Sequence, residues 1–356
     1  MVGRMVPFAL DYLASTRLAS GLYCFDLDYI DRSTPRGESV RYSLMALLGL
    51  QRAADAGHDV RDLDTLWHAC LAARSTFAPG DYGLAIWADQ RRDGAAGPEL
   101  LRALARVVPD RAALAPLVGM EIGWLVVGLV QAVVAGRSGA PELLDMVRAE
   151  FDSRRADTGL YRHHGDTGLR GRLPNFATEI YTLLALATLA RAKLDPHARE
   201  HAERLAAHLL RLQLPDGGWP WLFDVERATV VERYEIYSVH QDAMAPMALI
   251  EMTELTSDGR YLDAAVRGLG WSHGDNELGV DLFDDDAGFA HRSIRRRRPW
   301  DRLALAVNSL GSATAGRTPL QDSPVELNDT CRPYHLGWIL EAWAGRQHLV
   351  ESGDLS

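Results

Sequence analysis

Thr158-Gly159-Leu160-Tyr161, a glycine turn closed by an aromatic, is followed by Glu179-Ile180-Tyr181-Thr182 at the head of a long apolar stretch. The same plan occurs twice more, as Ser20-Gly21-Leu22-Tyr23 leading to Arg41-Tyr42-Ser43-Leu44 and as Gly217-Gly218-Trp219 leading to Glu235-Ile236-Tyr237-Ser238. The loop aromatic and the Tyr that opens the apolar stretch lie 19, 20 and 18 residues apart (Tyr23 to Tyr42, Tyr161 to Tyr181, Trp219 to Tyr237). Spacing this regular marks one structural unit used repeatedly, and such units bury their apolar faces by stacking on one another.

Working outward from these stretches, apolar residues recur at helical spacing in about a dozen segments, and strand-like alternation is scarce. The segments pair as 41–56 with 61–76, 82–92 with 97–107, 119–135 with 140–152, 175–191 with 197–213, and 235–255 with 259–271. Helix 330–344 pairs with an N-terminal helix over 6–19. The first member of each pair is apolar on nearly all faces, as a helix covered on both sides must be; the second is amphipathic, as in Arg199 to Arg211. Six such pairs predict an all-α chain folded as an (α/α)6 toroid, one domain over residues 1–356. Segment 272–328 breaks the period and is expected as an irregular, elaborated loop.

Composition narrows the function classes. The 356 residues are 47% hydrophobic, enough for a large core, and the longest apolar run, around Trp124 to Ala135, is too short to span a bilayer. Pro7, Asp11 and Arg17 interrupt the N-terminal apolar stretch, so it reads as an amphipathic helix and not as a signal peptide, with a cytoplasmic location expected. A net charge of −10 argues against nucleic-acid binding. Cys24, Cys70 and Cys331 are too widely spaced for a disulfide framework or a zinc pattern. Neither a metal nor a cofactor is expected, and the partner is a small-molecule or oligosaccharide substrate.

In a toroid the first turns of the inner helices and the loops before them converge at one mouth. On 235–255, Tyr237, His240, Gln241 and Met244 fall at i, i+3, i+4 and i+7, one polar stripe on an apolar helix. His240 is the candidate acid or base, with Tyr237, Glu235 and Asp242 beside it. Glu179 and Glu235 hold equivalent places two residues before the helix-opening Tyr, and two carboxylates at one mouth suit glycosyl-transfer chemistry. Either also answers a helix dipole. Candidate substrate contacts are Tyr161 and His163 in one loop, Tyr181 on the helix after it, and Asp216, Trp219, Trp221 and Asp224 in the next loop. Gln241, Arg41 and Tyr42, and Arg332, Tyr334, His335 and Trp338 on the last inner helix, complete the set. The acidic run Asp281 to Asp286 lacks calcium-loop spacing, and the basic run Arg295 to Arg298 either attracts an anion or neutralises that acidic loop.

Two motifs carry resemblances. Gln213-Leu214-Pro215-Asp216-Gly217-Gly218-Trp219 fits the Q-x3-G-x-W pattern of terpenoid-cyclase and prenyltransferase toroids, and Asp157 to Asp166 resembles the D-x-T-G-L-Y-x-H-x-x-D stretch of six-hairpin glycosidases such as the unsaturated glucuronyl and rhamnogalacturonyl hydrolases. Asp216 to Leu249 also resembles polysaccharide-biosynthesis proteins. These resemblances imply a toroid acting on a saccharide or acidic glycan by hydrolase, lyase or epimerase chemistry. A terpenoid cyclase with an aromatic-lined cavity is the alternative, although neither a DxDD nor a DDxxD motif is present, and a noncatalytic glycan- or protein-binding toroid is the third reading.

Overall fold

The computed structural model describes residues 2–31, 34–166, 168–297, 300–316, 318–320 and 324–351. Six inner helices stand in a ring: α2 (Val40–Asp55), α4 (Pro79–Gln90), α6 (Gly119–Val134), α9 (Phe176–Arg191), α11 (Ala245–Thr256) and α14 (Pro333–Trp343) each pack on the next, and α14 closes on α2. Each is backed by an outer helix, in the same order α3 (Leu63–Ala72), α5 (Gly97–Val107), α7 (Ala140–Ser153), α10 (Ala198–Leu212), α12 (Arg260–Ser272) and α1 (Val2–Ser15). The chain is an all-α (α/α)6 toroid. Burial follows the sequence pattern: α9 buries 13 of its 16 residues, while the amphipathic α10 buries only 5 of 15.

The repeated turn has one hydrogen-bonding scheme. Leu18, Ala156 and Leu214 each donate their N–H to the carbonyl four residues on and accept from the N–H three residues on, with Gly21, Gly159 and Gly217 at φ of +83°, +97° and +89°. Only glycine adopts that left-handed backbone without strain. The aromatic after the turn is then anchored through its own N–H to a side chain on the inner helix: Tyr23 to Ser43 Oγ, Tyr161 to Glu179, and Trp219 to Gln241 Oε1.

Three of the contacts between neighbouring inner helices, α14 with α2, α4 with α6 and α6 with α9, are made at glycines. A Cβ on Gly128 of α6 would lie 2.2 Å from the Gly83 carbonyl oxygen of α4, so the contact tolerates no side chain. Gly128→Val is therefore expected to cost about 3 kcal/mol by overpacking, read as a lowered urea midpoint.

Four expectations need correction. The helix expected over 235–255 begins later, because Ile236 and Tyr237 form a strand, β4, paired with Ile294 and Ser293 of β7 (Ser293–Arg296), and Ser238 bonds back to Arg292. A π-helical turn over His240–Met244 then leads into α11. The first helix runs 2–15, since Arg17 bridges to Tyr23 in the repeated turn. Helix 330–344 starts at Pro333, because Thr330 and Cys331 (β9) pair with β1 (Leu27–Asp28). Segment 272–328 is not irregular: it holds β7, β8 (Val325–Asn328), the short hairpin Phe283–Asp284 with Phe289–Ala290, and a 16-residue helix, α13 (Trp300–Ala315).

Candidate functional site

A cavity of about 210 Å³ opens at the mouth of the ring. Its wall takes Arg41, Tyr42 and Met45 from α2, Met120 and Trp124 from α6, Asn175, Ala177 and Tyr181 at the head of α9, and Trp221 from the DGGW loop. Tyr237, His240 and Met244, Arg292 before β7, and Tyr334 of α14 complete it. The strand-and-π-turn start of the fifth repeat sets His240 and Tyr237 into this wall, and π-turns are frequent where a helix carries function.

The His240 ring is packed among aromatics: parallel to Trp221 at 6.1 Å and 8°, 5.0 Å from Phe176 and 5.1 Å from Tyr237. Its Nδ1 is buried and has no hydrogen-bond partner among the described residues. Burial, with the guanidinium of Arg292 and the neighbouring His335 acting in the same direction, pushes the imidazole down to about 3, so it is neutral at physiological pH. The sign of the linked stability follows. An unfolded histidine takes up a proton near 6.5 and the folded one does not, so this contribution is complete above pH 6.5 and is lost as pH falls towards 3, by at most about 1.4 kcal/mol per unit. Urea titrations at pH 7 and pH 5 should show wild type losing more stability than His240→Phe.

Arg292 stands 5.0 Å over the Tyr237 ring, with its Nε buried and without a hydrogen-bond partner among the described residues. Arg41, by contrast, is neutralised by Asp81 at 2.6 Å and Glu121 at 2.7 Å. Arg292 is thus a cavity-lining guanidinium with no described carboxylate within ion-pair distance, Glu235 supporting its charge only from further away. Tyr237 donates its hydroxyl to Glu235 Oε2 at 3.1 Å, and burial, reinforced by that carboxylate, raises the phenol well above its usual range. Glu235 also accepts from Asn328 Nδ2 at 2.6 Å and from Ser293 Oγ. It faces an adjoining groove, shared through Trp221 and Tyr237 and lined further by Arg295, Arg302 and Leu305.

Of the residues singled out in the sequence, Arg41, Tyr42, Tyr181, Trp221, Tyr237, His240 and Tyr334 share the cavity, and Glu235 lies next to it. Arg332 stands behind the wall, 3.9 Å over Phe25 and donating to the Tyr42 hydroxyl at 2.8 Å. Several others are elsewhere. Glu179 is fully buried, accepts the Tyr161 N–H at 3.0 Å, and is pushed well above the ordinary carboxyl range by burial. It is an anchor of the repeated turn and not half of a carboxylate pair at the mouth. Gln241 does the same for Trp219 at 2.6 Å, and Asp242 is buried between His335 at 2.7 Å and Ser272 at 3.0 Å. Tyr161, Trp219 and Trp338 are core residues, Trp219 stacking on Phe176 and Trp338 on Trp87.

His163 bonds Thr178 Oγ1 at 2.6 Å outside the cavity and is pushed down to about 4, chiefly by burial. Asp216 holds the Gly218 N–H and pairs with Arg233, while Asp224, fully buried, is held by Arg172, Arg227 and Ser312. Asp281 and Asp285 clamp Arg4 of α1, and of the basic run Arg295 and Arg296 pair with Glu326 and Glu232; Arg298, its last member, lies outside the described residues. Glu179→Gln, which keeps an acceptor for Tyr161, should be nearly neutral. Glu179→Ala should cost about 1–3 kcal/mol by stranding that N–H, with the activity of the folded fraction unchanged in a melt-corrected assay.

Sequence reasoning missed Arg292, Asn175 and Trp124. Asn175 carries a readable signal, an N-cap Asn whose Oδ1 accepts from Thr178 N at 3.0 Å. Arg292 lies in the aperiodic segment and has none.

No family model matches the sequence, and no curated protein matches it. Solved structures do match in fold. A cellobiose 2-epimerase from Bacillus thermoamylovorans superposes with a TM-score of 0.68 at 10% identity, covering 97% of this chain and 99% of that one. An unsaturated glucuronyl hydrolase specific for heparin gives 0.65 at 15% identity over 100% and 99%, and an α-1,6-mannanase from Salegentibacter gives 0.51 at 12% over 98% and 99%. At these identities the likeness is one of fold: the chain has the (α/α)6 toroid that these glycan-acting enzymes share. Among the described residues no helix is long and apolar enough to cross a membrane.

Proposed function

We propose that this chain is an enzyme acting on an acidic saccharide, with His240 as the proton acceptor in epimerase- or lyase-type chemistry. The observation that carries this reading is the neutral imidazole in the cavity wall, its Nδ1 without a partner and the charge of Arg292 beside it. In the proposed step His240 takes the proton from a sugar carbon next to a carbonyl or carboxylate. The C–H electron pair moves onto that group, and Arg292 balances the charge that develops on its oxygen. Reprotonation of the same carbon from the opposite face by water, with the His240 proton returned to solvent, gives an epimer; departure of a β-oxygen that takes the proton from His240 and leaves as an alcohol gives an unsaturated product.

An anionic substrate also answers the low basicity of the free imidazole. Burial is the larger cause of that low basicity, and a carboxylate bound at Arg292 offsets the electrostatic part that the guanidinium adds, so binding raises the proton affinity of His240. Two-carboxylate hydrolysis is less well supported, because no described carboxylate lines the cavity and Glu235 stands alone in the adjoining groove. The terpenoid-cyclase reading needs a cavity in which a carbocation survives, and an unpaired guanidinium beside it works against that.

The test is a mass-spectrometric and NMR screen of the purified protein against uronic-acid-containing oligosaccharides and neutral disaccharides. Epimerised or unsaturated products from the acidic set support the reading. Release of a saturated sugar by water, or no product and no binding across both sets, refutes it.

A further inference from the structure

The helix α13 is inside out. Its protein-facing positions are Ala304, Asn308 and Ser312, fastened by Asn308 Nδ2 to Glu232 at 3.0 Å and by Ser312 Oγ to Asp224 at 2.9 Å. The opposite face carries Leu303, Ala306, Val307 and Leu310 at i, i+3, i+4 and i+7, an apolar stripe aimed away from the body. Leu303 is 50% and Leu310 62% exposed, and with Leu305 on the flank this one helix supplies three of the nine exposed large apolar side chains described.

The charge around the stripe is opposite to that of the chain. Residues 292–328 hold seven Arg against three Asp or Glu, a net of +4 in a protein of net −10. Arg297 and Arg302 are exposed, Arg295 is half-exposed and paired with Glu326 at 3.2 Å, and the acids beneath are already matched, Glu232 by Arg296 and Asp224 by Arg172 and Arg227.

We propose that α13 docks this protein on an anionic phospholipid surface, the leucine stripe entering the interface and Arg297 and Arg302 meeting the headgroups. An outward apolar stripe flanked by arginines is the pattern of interfacial helices. A second copy is the poorer occupant, since a two-fold contact through the same stripe brings Arg297 and Arg302 close to their own counterparts. The remainder of an acidic chain is repelled by an anionic surface, so only this face approaches it. Arg302 and Leu305 also line the groove beside the cavity, and docking therefore brings that groove near the lipid.

Flotation of the full chain at low salt with phosphatidylcholine vesicles, with and without phosphatidylglycerol, tests this. Binding is expected only with phosphatidylglycerol, weakened about tenfold or more by Leu303→Glu with Leu310→Glu, by Arg297→Glu with Arg302→Glu, and by added salt. Both double variants change exposed residues, and an unaltered thermal melt verifies their fold. The proposal is overturned by absence of flotation with phosphatidylglycerol, or by flotation that both variants leave unchanged. It is also overturned if light scattering shows a dimer that the leucine variant alone dissociates while no vesicle is bound.

Discussion

His240→Phe is expected to abolish turnover, a loss of about 10²-fold or more for a missing acid/base group, while the protein stays folded. A phenyl ring fills the same slot among Trp221, Phe176 and Tyr237. No described hydrogen-bond partner of Nδ1 is stranded by the change, so the usual cost of removing a buried polar side chain is absent. The two readouts therefore separate. An inactive variant with a wild-type melt supports a chemical role, whereas an active variant shows that the imidazole is there only to pack. A ligand still bound with unchanged affinity by the inactive variant assigns the loss to the chemical step.

Glu232→Ala should produce the largest loss of stability, about 3–5 kcal/mol, because it removes one partner of the buried Glu232–Arg296 ion pair. Glu232 and Arg296 are both about 2% exposed at the side chain and meet at 2.7 Å, and the same carboxylate accepts from Asn308 of α13 and from the Tyr234 N–H. Hydrogen exchange should show α13 and the β7–β8 strands losing protection ahead of the ring helices, since they hang on this pair and the ring does not. Uniform loss across the whole chain would contradict the local role.

The ring was legible because its physics is periodic. Glycine turns needing positive φ recur at Gly21, Gly159 and Gly217, and inner helices buried on all sides carry apolar residues on all faces. The site was legible where it lies on the same period, as for Arg41, Tyr42, Tyr181 and Tyr334. It was misread where the repeat spends a polar side chain on its own turn. Glu179, Gln241 and Ser43 have different chemistries but one task, holding the N–H of the loop aromatic. No spacing rule distinguishes such an anchor from a catalytic acid, because both are polar residues in the first turns of an inner helix. Asp242 misled in the same manner: the strand and π-turn before α11 rotate it towards His335, away from the cavity. Arg292 and α13 were illegible because the segment after α12 repeats nothing; only the tertiary pairing of β4, β7 and β8 brings Arg292 to the cavity.

Proton exchange with solvent measures the central assignment most directly. Acidic oligosaccharides incubated with the protein in D2O should either acquire deuterium at the carbon next to the carboxylate or carbonyl, detected by NMR and by an added mass unit, or give an unsaturated product that has lost the hydrogen of that carbon, and His240→Phe should abolish both. A product that keeps the original hydrogen on that carbon, or exchange or elimination that His240→Phe leaves intact, would contradict the assignment of His240 as the base.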